Sequence, residues 1–308
     1  MWDKDTYQLK KLEENDFPFV KELLWKVFRK KISVTKLKHK YDATYPGLEQ
    51  VSTIAYHGKT PIAFYGAILQ QFKKNNETII LAQACDSSTL EKYQGKGLHF
   101  ELAKLSYELM SKQNVSCVYA FMNENSYRST KKLGWKEHNH MLRFHFETPT
   151  FPAAKALNKL NYNDLYGLFF KKEASNQALK ALNPKHNDTF QQVFTKTFVS
   201  YKNSFKNHYY IEEENCVFWV KIEGVMHVGL SYAPSNVALQ KALIKIKRKA
   251  VFLGISEILF QVDSKASLAR QLATITAPKK SWYVGYLPFK RPMDLKDFIF
   301  TYSDLDTF

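Results

Sequence analysis

The sequence predicts a mixed α/β (α+β) chain of two tandem domains, each a mostly antiparallel sheet flanked by helices, the second a degenerate repeat of the first. Three observations carry that prediction. One order of elements (helix, hairpin, helix, strand, helix, strand, strand) runs through the chain twice. A glycine-bearing loop joins strand to helix in the first half, and its counterpart in the second half has lost the glycines. The length of 308 residues, 45% hydrophobic and 24% charged, suits about two globular domains.

The elements follow in order. Residues 16–31 space Phe17, Val20, Leu23, Leu24, Val27 and Phe28 as one helical face, with Asp16 as N-cap. Strands at 51–58 and 61–72 meet at Gly58-Lys59, a pair suited to a type II′ turn. A third strand at 77–85 gives way to the polar loop 86–97 and then to a helix at 98–112 with Leu98, Leu102, Leu105 and Leu109 in a stripe. A strand at 117–121, a short helix at 124–133 and a strand at 141–147 close a first domain of residues 1–148. Residues 149–186, with three prolines, read as a helical connecting region. The second domain, 187–308, begins with a helix at 188–203. Strands at 216–223 and 225–232 turn at Gly224, and a helix at 235–253 is capped by Ser235 and stopped by Gly254. A strand at 257–263, a short helix at 264–273 and strands at 281–289 and 297–303 complete it.

Composition narrows the function classes. Three distant cysteines with no CxxC spacing argue against a disulfide framework or a zinc site and suit a reducing compartment. The polar N-terminus is no signal peptide, and no apolar run approaches the ~20 residues of a membrane span. The expectation is a cytoplasmic protein without a metal. His138, His140 and His145 read as strand surface, since no acidic or cysteine partner stands near them. The net charge of +16 is shared by both halves, with local basic stretches at Lys21–Lys40 and Lys241–Lys249. Such fields attract anions: nucleic acid, an acidic membrane surface or a phosphorylated cofactor.

The stretch with chemical content is Gln94-Gly95-Lys96-Gly97-Leu98. Glycines let backbone approach a ligand, and the helix that follows offers unpaired N–H groups and a positive dipole end. Lys96 adds charge. The turn lacks the third glycine of a dinucleotide fingerprint and the spacing of a Walker loop. Its other possible role is an ordinary strand-to-helix loop. Downstream stand Asn123-Glu124-Asn125-Ser126 and Lys132-Leu133-Gly134-Trp135.

On these two motifs, over roughly residues 50–147, the sequence resembles the GNAT superfamily of N-acetyltransferases, in a tandem form like that of the N-myristoyltransferases. The resemblance implies acyl-coenzyme A, acetyl-CoA in the first instance, as co-substrate. By position, Gln94, Gly95, Lys96, Gly97 and Leu98 would hold its pyrophosphate. Ser87, Ser88 and Thr89 would line the pantetheine arm and offer oxyanion donors, and Asn123 and Ser126 would touch the same arm. As plain structure, Ser87 and Ser88 are a polar turn, and Asn123 and Ser126 a helix cap. For catalysis the nearest carboxylates are Asp86 and Glu124. Thr130 stands where the family often has a tyrosine, leaving Tyr127 as substitute acid. The carboxylate at Phe308 is a further candidate base, by analogy with tandem relatives.

The resemblance implies an N-acyltransferase acting on a primary amine of a small molecule such as an amino sugar. Two other readings stand beside it: a transferase that draws aminoacyl groups from aminoacyl-tRNA, favoured by the charge, and a non-catalytic acyl-CoA-binding module, favoured by the missing tyrosine. The glycine loop counts against nucleic acid as partner.

Overall fold

The computed structural model describes residues 6–43, 46–183, 189–203, 207–289 and 293–308. The chain divides into two compact units, Met1–His138 with Val284–Lys296, and Asn139–Tyr283 with Asp297–Phe308. Each holds a mostly antiparallel sheet with one parallel pair and helices packed on it.

The first unit opens with β1 (Gln8–Lys11), α1 (Phe17–Phe28) and α2 (Val34–Lys40). α1 buries Phe17, Val20, Leu23 and Leu24, the face its spacing dictates. Ser33 caps α2 by accepting from the Lys36 amide at 3.2 Å. The antiparallel meander β2 (Thr53–His57), β3 (Thr60–Lys74) and β4 (Glu77–Thr89) follows. α3 (Leu98–Lys112) then returns the chain to β5 (Cys117–Met122), parallel to β4, and α4 (Glu124–Lys131) leads into β6 (Lys136–Glu147). Strand alternation assigns the faces. Phe64 of β3 meets Tyr41, at the end of α2, with ring centroids 5.5 Å apart. Its neighbour Tyr65 turns the other way, to His99 and Tyr107 of α3. Thus α1 and α2 cover one face and α3 the other.

The second unit repeats this plan. After α5 (Ala153–Lys159), α6 (Asn176–Leu182), the two-residue β7 (Gln191–Gln192) and α7 (Lys196–Asn203) comes a second antiparallel meander. It consists of β8 (His208–Glu213), β9 (Cys216–Glu223) and β10 (Val225–Tyr232). α8 (Asn236–Phe252) crosses to β11 (Glu257–Asp263), parallel to β10, and α9 (Ser267–Ala273) leads to β12 (Lys279–Pro288). Leu239, Leu243 and Ile246 of α8 bury against Phe218 and Phe260 in this unit's core.

The closing strand of each half belongs to the other half's unit. From Asn139 onward β6 lies in the second unit, antiparallel to β11 from Met141 opposite Asp263 to Glu147 opposite Glu257. From Val284 onward β12 lies in the first unit beside β5. There the Phe289 amide donates to the Ser116 carbonyl at 3.1 Å. Gly285 approaches so closely that a Cβ would stand 2.2 Å from the Met122 methyl. A division at residues 148 and 187 follows chain order, so the strand at 141–147, assigned by sequence to the first domain, is found in the second unit.

Other differences have local causes. β4 runs on to Thr89 instead of ending at Cys85. The helix expected at 188–203 begins only at Lys196, after β7; position 188 lies outside the described residues. The strand expected at 297–303 is replaced by 3₁₀ turns at Leu295–Asp297 and Tyr302–Asp304. In the second turn the Asp304 carboxylate accepts from both the amide and the hydroxyl of Thr301, and this capping box takes up backbone that a strand would pair. No helix among the described residues is long and apolar enough to cross a membrane.

Candidate functional site

The site is built where β4 leaves its neighbours. β4 and β5 pair only through Leu81–Cys117, Ala82–Val118 and Gln83–Tyr119, after which the strands part. On its other edge β4 carries a bulge. Phe64 faces Ser88 and Gly66 faces Cys85, so Asp86 and Ser87 together stand opposite Tyr65 alone. Asp86 takes the left-handed conformation, φ +50°, which a short polar side chain tolerates better than most. Gly66 permits the close approach, since a Cβ there would stand 2.6 Å from the Cys85 carbonyl oxygen. A bulge leaves backbone groups out of the ladder, free for another partner.

Beyond β4, the Gln94 side chain donates to the Thr89 carbonyl at 3.3 Å and folds the loop back on the strand end. Gly95 at φ +73° and Gly97 at φ +80° then take the left-handed conformation ahead of α3. The amides of Gly95, Lys96, Gly97 and Leu98 donate to no acceptor among the described residues, and no side chain caps α3. A Cβ on Gly95 would meet open space. Uncapped amides at the start of a 15-residue helix, at its positive dipole end, are of the kind that can accept an anion. The Lys96 ammonium rests 3.3 Å from the Tyr7 hydroxyl and 5.3 Å above the Tyr93 ring, which holds its charge beside these amides.

Asp86 does not stand open. Its carboxylate takes Lys30 at 3.0 Å, Lys40 at 2.5 Å and the Tyr41 hydroxyl at 3.0 Å. Burial opposes its charge, but the Lys40 and Lys30 ammonium groups outweigh that and hold the carboxyl well below the usual carboxylate range. It therefore clamps the bulge to the end of α2 and to the segment between α1 and α2. Sequence reasoning missed Lys30, Lys40 and Tyr41; the available signal was the basic stretch Lys21–Lys40, read only as a field for anions. Opposite the bulge, Tyr65 lies in a second polar group. Its hydroxyl is 3.3 Å from that of Tyr107, which accepts from the Trp135 indole at 3.0 Å. Burial pushes the Tyr65 phenol well above its ordinary value, so it stays neutral.

The remaining predicted residues fall in two places. Ser88 is buried beside the bulge, and its hydroxyl finds no hydrogen-bond partner among the described residues. Ser87 and Thr89 flank it, half-buried. At the end of β5, Asn123 caps α4, accepting from the Ser126 amide at 2.9 Å and the Ser126 hydroxyl at 3.0 Å. Glu124 is exposed and pairs with Arg128 at 3.2 Å. The Tyr127 hydroxyl donates to Glu137 under the Lys131 ammonium, 4.4 Å from the ring centroid. Phe308 belongs to the second unit.

Searches against family models and against curated protein sequences return no match. Solved structures do match. A candidate acetyltransferase of Pyrococcus horikoshii aligns over 98% of this chain and 95% of its own, with TM-score 0.59 and 13% identity. A GCN5-related N-acetyltransferase of Kribbella flavida aligns over 92% and 72%, with TM-score 0.58 and 12% identity. One from Anabaena variabilis aligns over 91% and 72%, with TM-score 0.57 and 11% identity. The chain has the GNAT fold. At these identities the likeness is one of fold.

Within that GNAT architecture the second unit carries the same two features, both closed. β10 bulges between Val228 and Leu230, and the β10–β11 pairing stops at Val228–Phe260. The Phe308 ring fills the space over this bulge: a Cβ on Gly229 would stand 2.1 Å from it. Trp219 and His208, each 4.9 Å away between centroids, and Tyr302 at 5.4 Å wall the ring in. The main-chain oxygen of Phe308 accepts from the buried Lys202 ammonium at 3.3 Å. At the start of α8 the Ser235 hydroxyl accepts from the Ala238 amide at 3.2 Å, filling with a side chain the place that the glycine nest leaves open in the first unit.

Proposed function

We propose that the first unit transfers an acyl group, acetyl in the first instance, from acyl-CoA to the primary amine of a small molecule such as an amino sugar. One observation carries this reading: an open amide nest at the start of α3 and a bulge where β4 and β5 part stand in one unit, and both are closed in the other. The residues fit the donor. The amides of Gly95 to Leu98, with Lys96, would hold the pyrophosphate. The gap between β4 and β5 would take the pantetheine arm, flanked by Asn123 and Ser126. The bulge amides and the unpartnered Ser88 hydroxyl would stabilise charge developing on the thioester oxygen.

Attack forms a C–N bond and breaks the C–S bond, so a proton leaves the amine and one is returned to the departing thiolate. Asp86, held ionised by two lysines, is unsuited to take that proton near neutral pH and instead fixes the bulge. Glu124, paired in solvent, supplies no poised base either. Tyr127 is the candidate donor of the proton to the thiolate, its hydroxyl oriented by Glu137; the proton lost by the amine passes to solvent, and solvent reprotonates Tyr127. Phe308 is a structural plug in this account, not a base. The basic stretch Lys21–Lys40 disfavours polycationic acceptors, so neutral or phosphorylated amino sugars come first. With acyl-CoA as donor, the reaction belongs in the cytoplasm.

The test is thiol release from acetyl-CoA across a panel of amino sugars and other small amines. Acceptor-dependent release, reduced at least tenfold by Tyr127→Phe, is the expected result. No release from folded protein on any amine, together with salt-sensitive retention of tRNA, would replace this reading with the aminoacyl-tRNA-dependent one.

A further inference from the structure

The second unit carries a surface that acyl transfer does not use. The chain from Phe151 to Phe170 passes over the C-terminal end of α8, and between them lies a groove of ≈ 580 Å³. Its lining is apolar: Phe151, Leu165, Leu168, Phe169, Val251 and Phe252. Three of these side chains are more solvent-exposed than a folded protein ordinarily leaves large apolar groups, Phe252 at 83%, Leu168 at 80% and Phe151 at 79%. They are not on a loose loop. The Thr150 hydroxyl donates to the Val251 carbonyl at 2.8 Å, the Ala154 amide to Gly254 at 2.9 Å, and the Tyr166 hydroxyl to Leu253 at 3.2 Å. Gly254, at φ +65°, lets Ala153 pack where a Cβ would stand 2.4 Å away. The apolar groups are held outward by a fixed frame.

The rim of this surface is positive. From Lys241 to Phe252 the sequence has five bases and no acid. The outward stripe of α8 reads Val237, Lys241, Ile244, Arg248, Val251, alternating apolar and basic at helical spacing, and all five are exposed. Lys245 and Lys249 are tied to Glu214 and Glu213 at 2.6 and 2.5 Å. Lys247 and Arg248 pair with no carboxylate among the described residues. On the facing segment Lys155 and Lys159 of α5 are exposed too.

We propose that this face of the second unit docks on an anionic lipid surface, Phe252, Leu168 and Phe151 entering the acyl boundary while Lys241, Arg248 and the α5 lysines meet lipid phosphates. A helix that mixes exposed apolar side chains with unpaired bases matches such an interface on both counts. The same charge argues against a second copy of the chain, because a two-fold interface would set one basic rim against another. Bare aliphatic and aromatic groups around a groove are likewise poor contacts for nucleic acid, which takes bases by stacking and phosphates by charge.

The experiment is co-sedimentation of the full chain with vesicles of phosphatidylcholine alone and of phosphatidylcholine containing phosphatidylglycerol, at rising salt. Light scattering in parallel reports the oligomeric state. Binding to the anionic vesicles at least tenfold above the neutral ones, falling with salt, is expected. The pair Leu168→Ser with Phe252→Ser, and separately the pair Lys241→Gln with Arg248→Gln, should each cut it at least tenfold. Both pairs should leave the circular dichroism spectrum and acetyl-CoA binding unchanged, since the altered side chains are exposed and lie in the other unit from the nest. Absence of binding to anionic vesicles, or binding that neither pair alters, overturns the proposal. So does a dimer that Leu168→Ser with Phe252→Ser converts to monomer, which would assign the surface to a second copy.

Discussion

Asp86 shows how one residue can look catalytic in a sequence and serve another end in the fold. It ends the expected strand, beside the expected oxyanion donors, where a base would be sought. In the structure its carboxylate is taken by Lys30, Lys40 and Tyr41, about fifty residues upstream. Replacing it removes the carboxylate that the buried Lys40 ammonium meets at 2.5 Å, so Asp86→Asn should lose roughly 3–5 kcal/mol of stability at pH 7. The sign with pH is fixed. A carboxyl held below its unfolded value contributes stability that is fully present above about pH 4 and fades as pH falls through the folded value. Denaturant titrations at pH 7 and pH 3 should therefore show the gap between wild type and Asp86→Asn narrowing in acid. A gap of constant width would mean the clamp is not electrostatic. Phe308 is the counterpart in the second unit. Its ring is 2% exposed and packed over Gly229, so Phe308→Ala should cost about 3–5 kcal/mol, read as a lowered midpoint of denaturation. An unchanged midpoint would show that the plug is dispensable.

At the scale of elements, what was legible in the sequence is what is local. The stripe of α1, the Gly58 turn, the Gly95–Gly97 loop, the Ser235 cap and the Gly254 stop are each set by residues within a few positions of one another. What was illegible depends on distant partners. The β4 bulge needs the register of β3, and Gly66, the residue that permits it, stands far from Asp86 in sequence. Phe298, Phe300 and Tyr302 alternate as strand residues do, but the capping box of Thr301 and Asp304 is the stronger local signal and makes the last segment a turn. Asn123 and Ser126 fulfil the expected cap, and their part in ligand binding rests on the proposed donor. The contrast between the two helix starts is the most informative element-scale feature. Ser235 closes α8 with a hydroxyl, whereas Gly97 leaves α3 open.

Across the whole molecule the repeat is one of topology, with the closing strand of each half exchanged between the units. Periodicity along the chain cannot reveal such an exchange, because each strand reads the same whichever sheet takes it. A fragment of residues 1–148 would lack the end of β12 beside β5 and would carry β6 without β11. It should show no cooperative thermal transition by circular dichroism, whereas the full chain should; a cooperative transition in the fragment would contradict the unit assignment. The two units differ locally: the start of α3 carries no side-chain cap in the first, whereas in the second the Phe308 ring packs over Gly229 and Ser235 caps α8.

That asymmetry is tested most directly by isothermal titration of the full chain with acetyl-CoA, beside a variant carrying Gly95→Glu and Gly97→Glu. The account predicts saturable binding at one site per chain, with affinity on the order of micromolar, lost in the variant while its circular dichroism spectrum is retained. Equal binding by wild type and variant, two sites per chain, or no binding by folded wild type would contradict it.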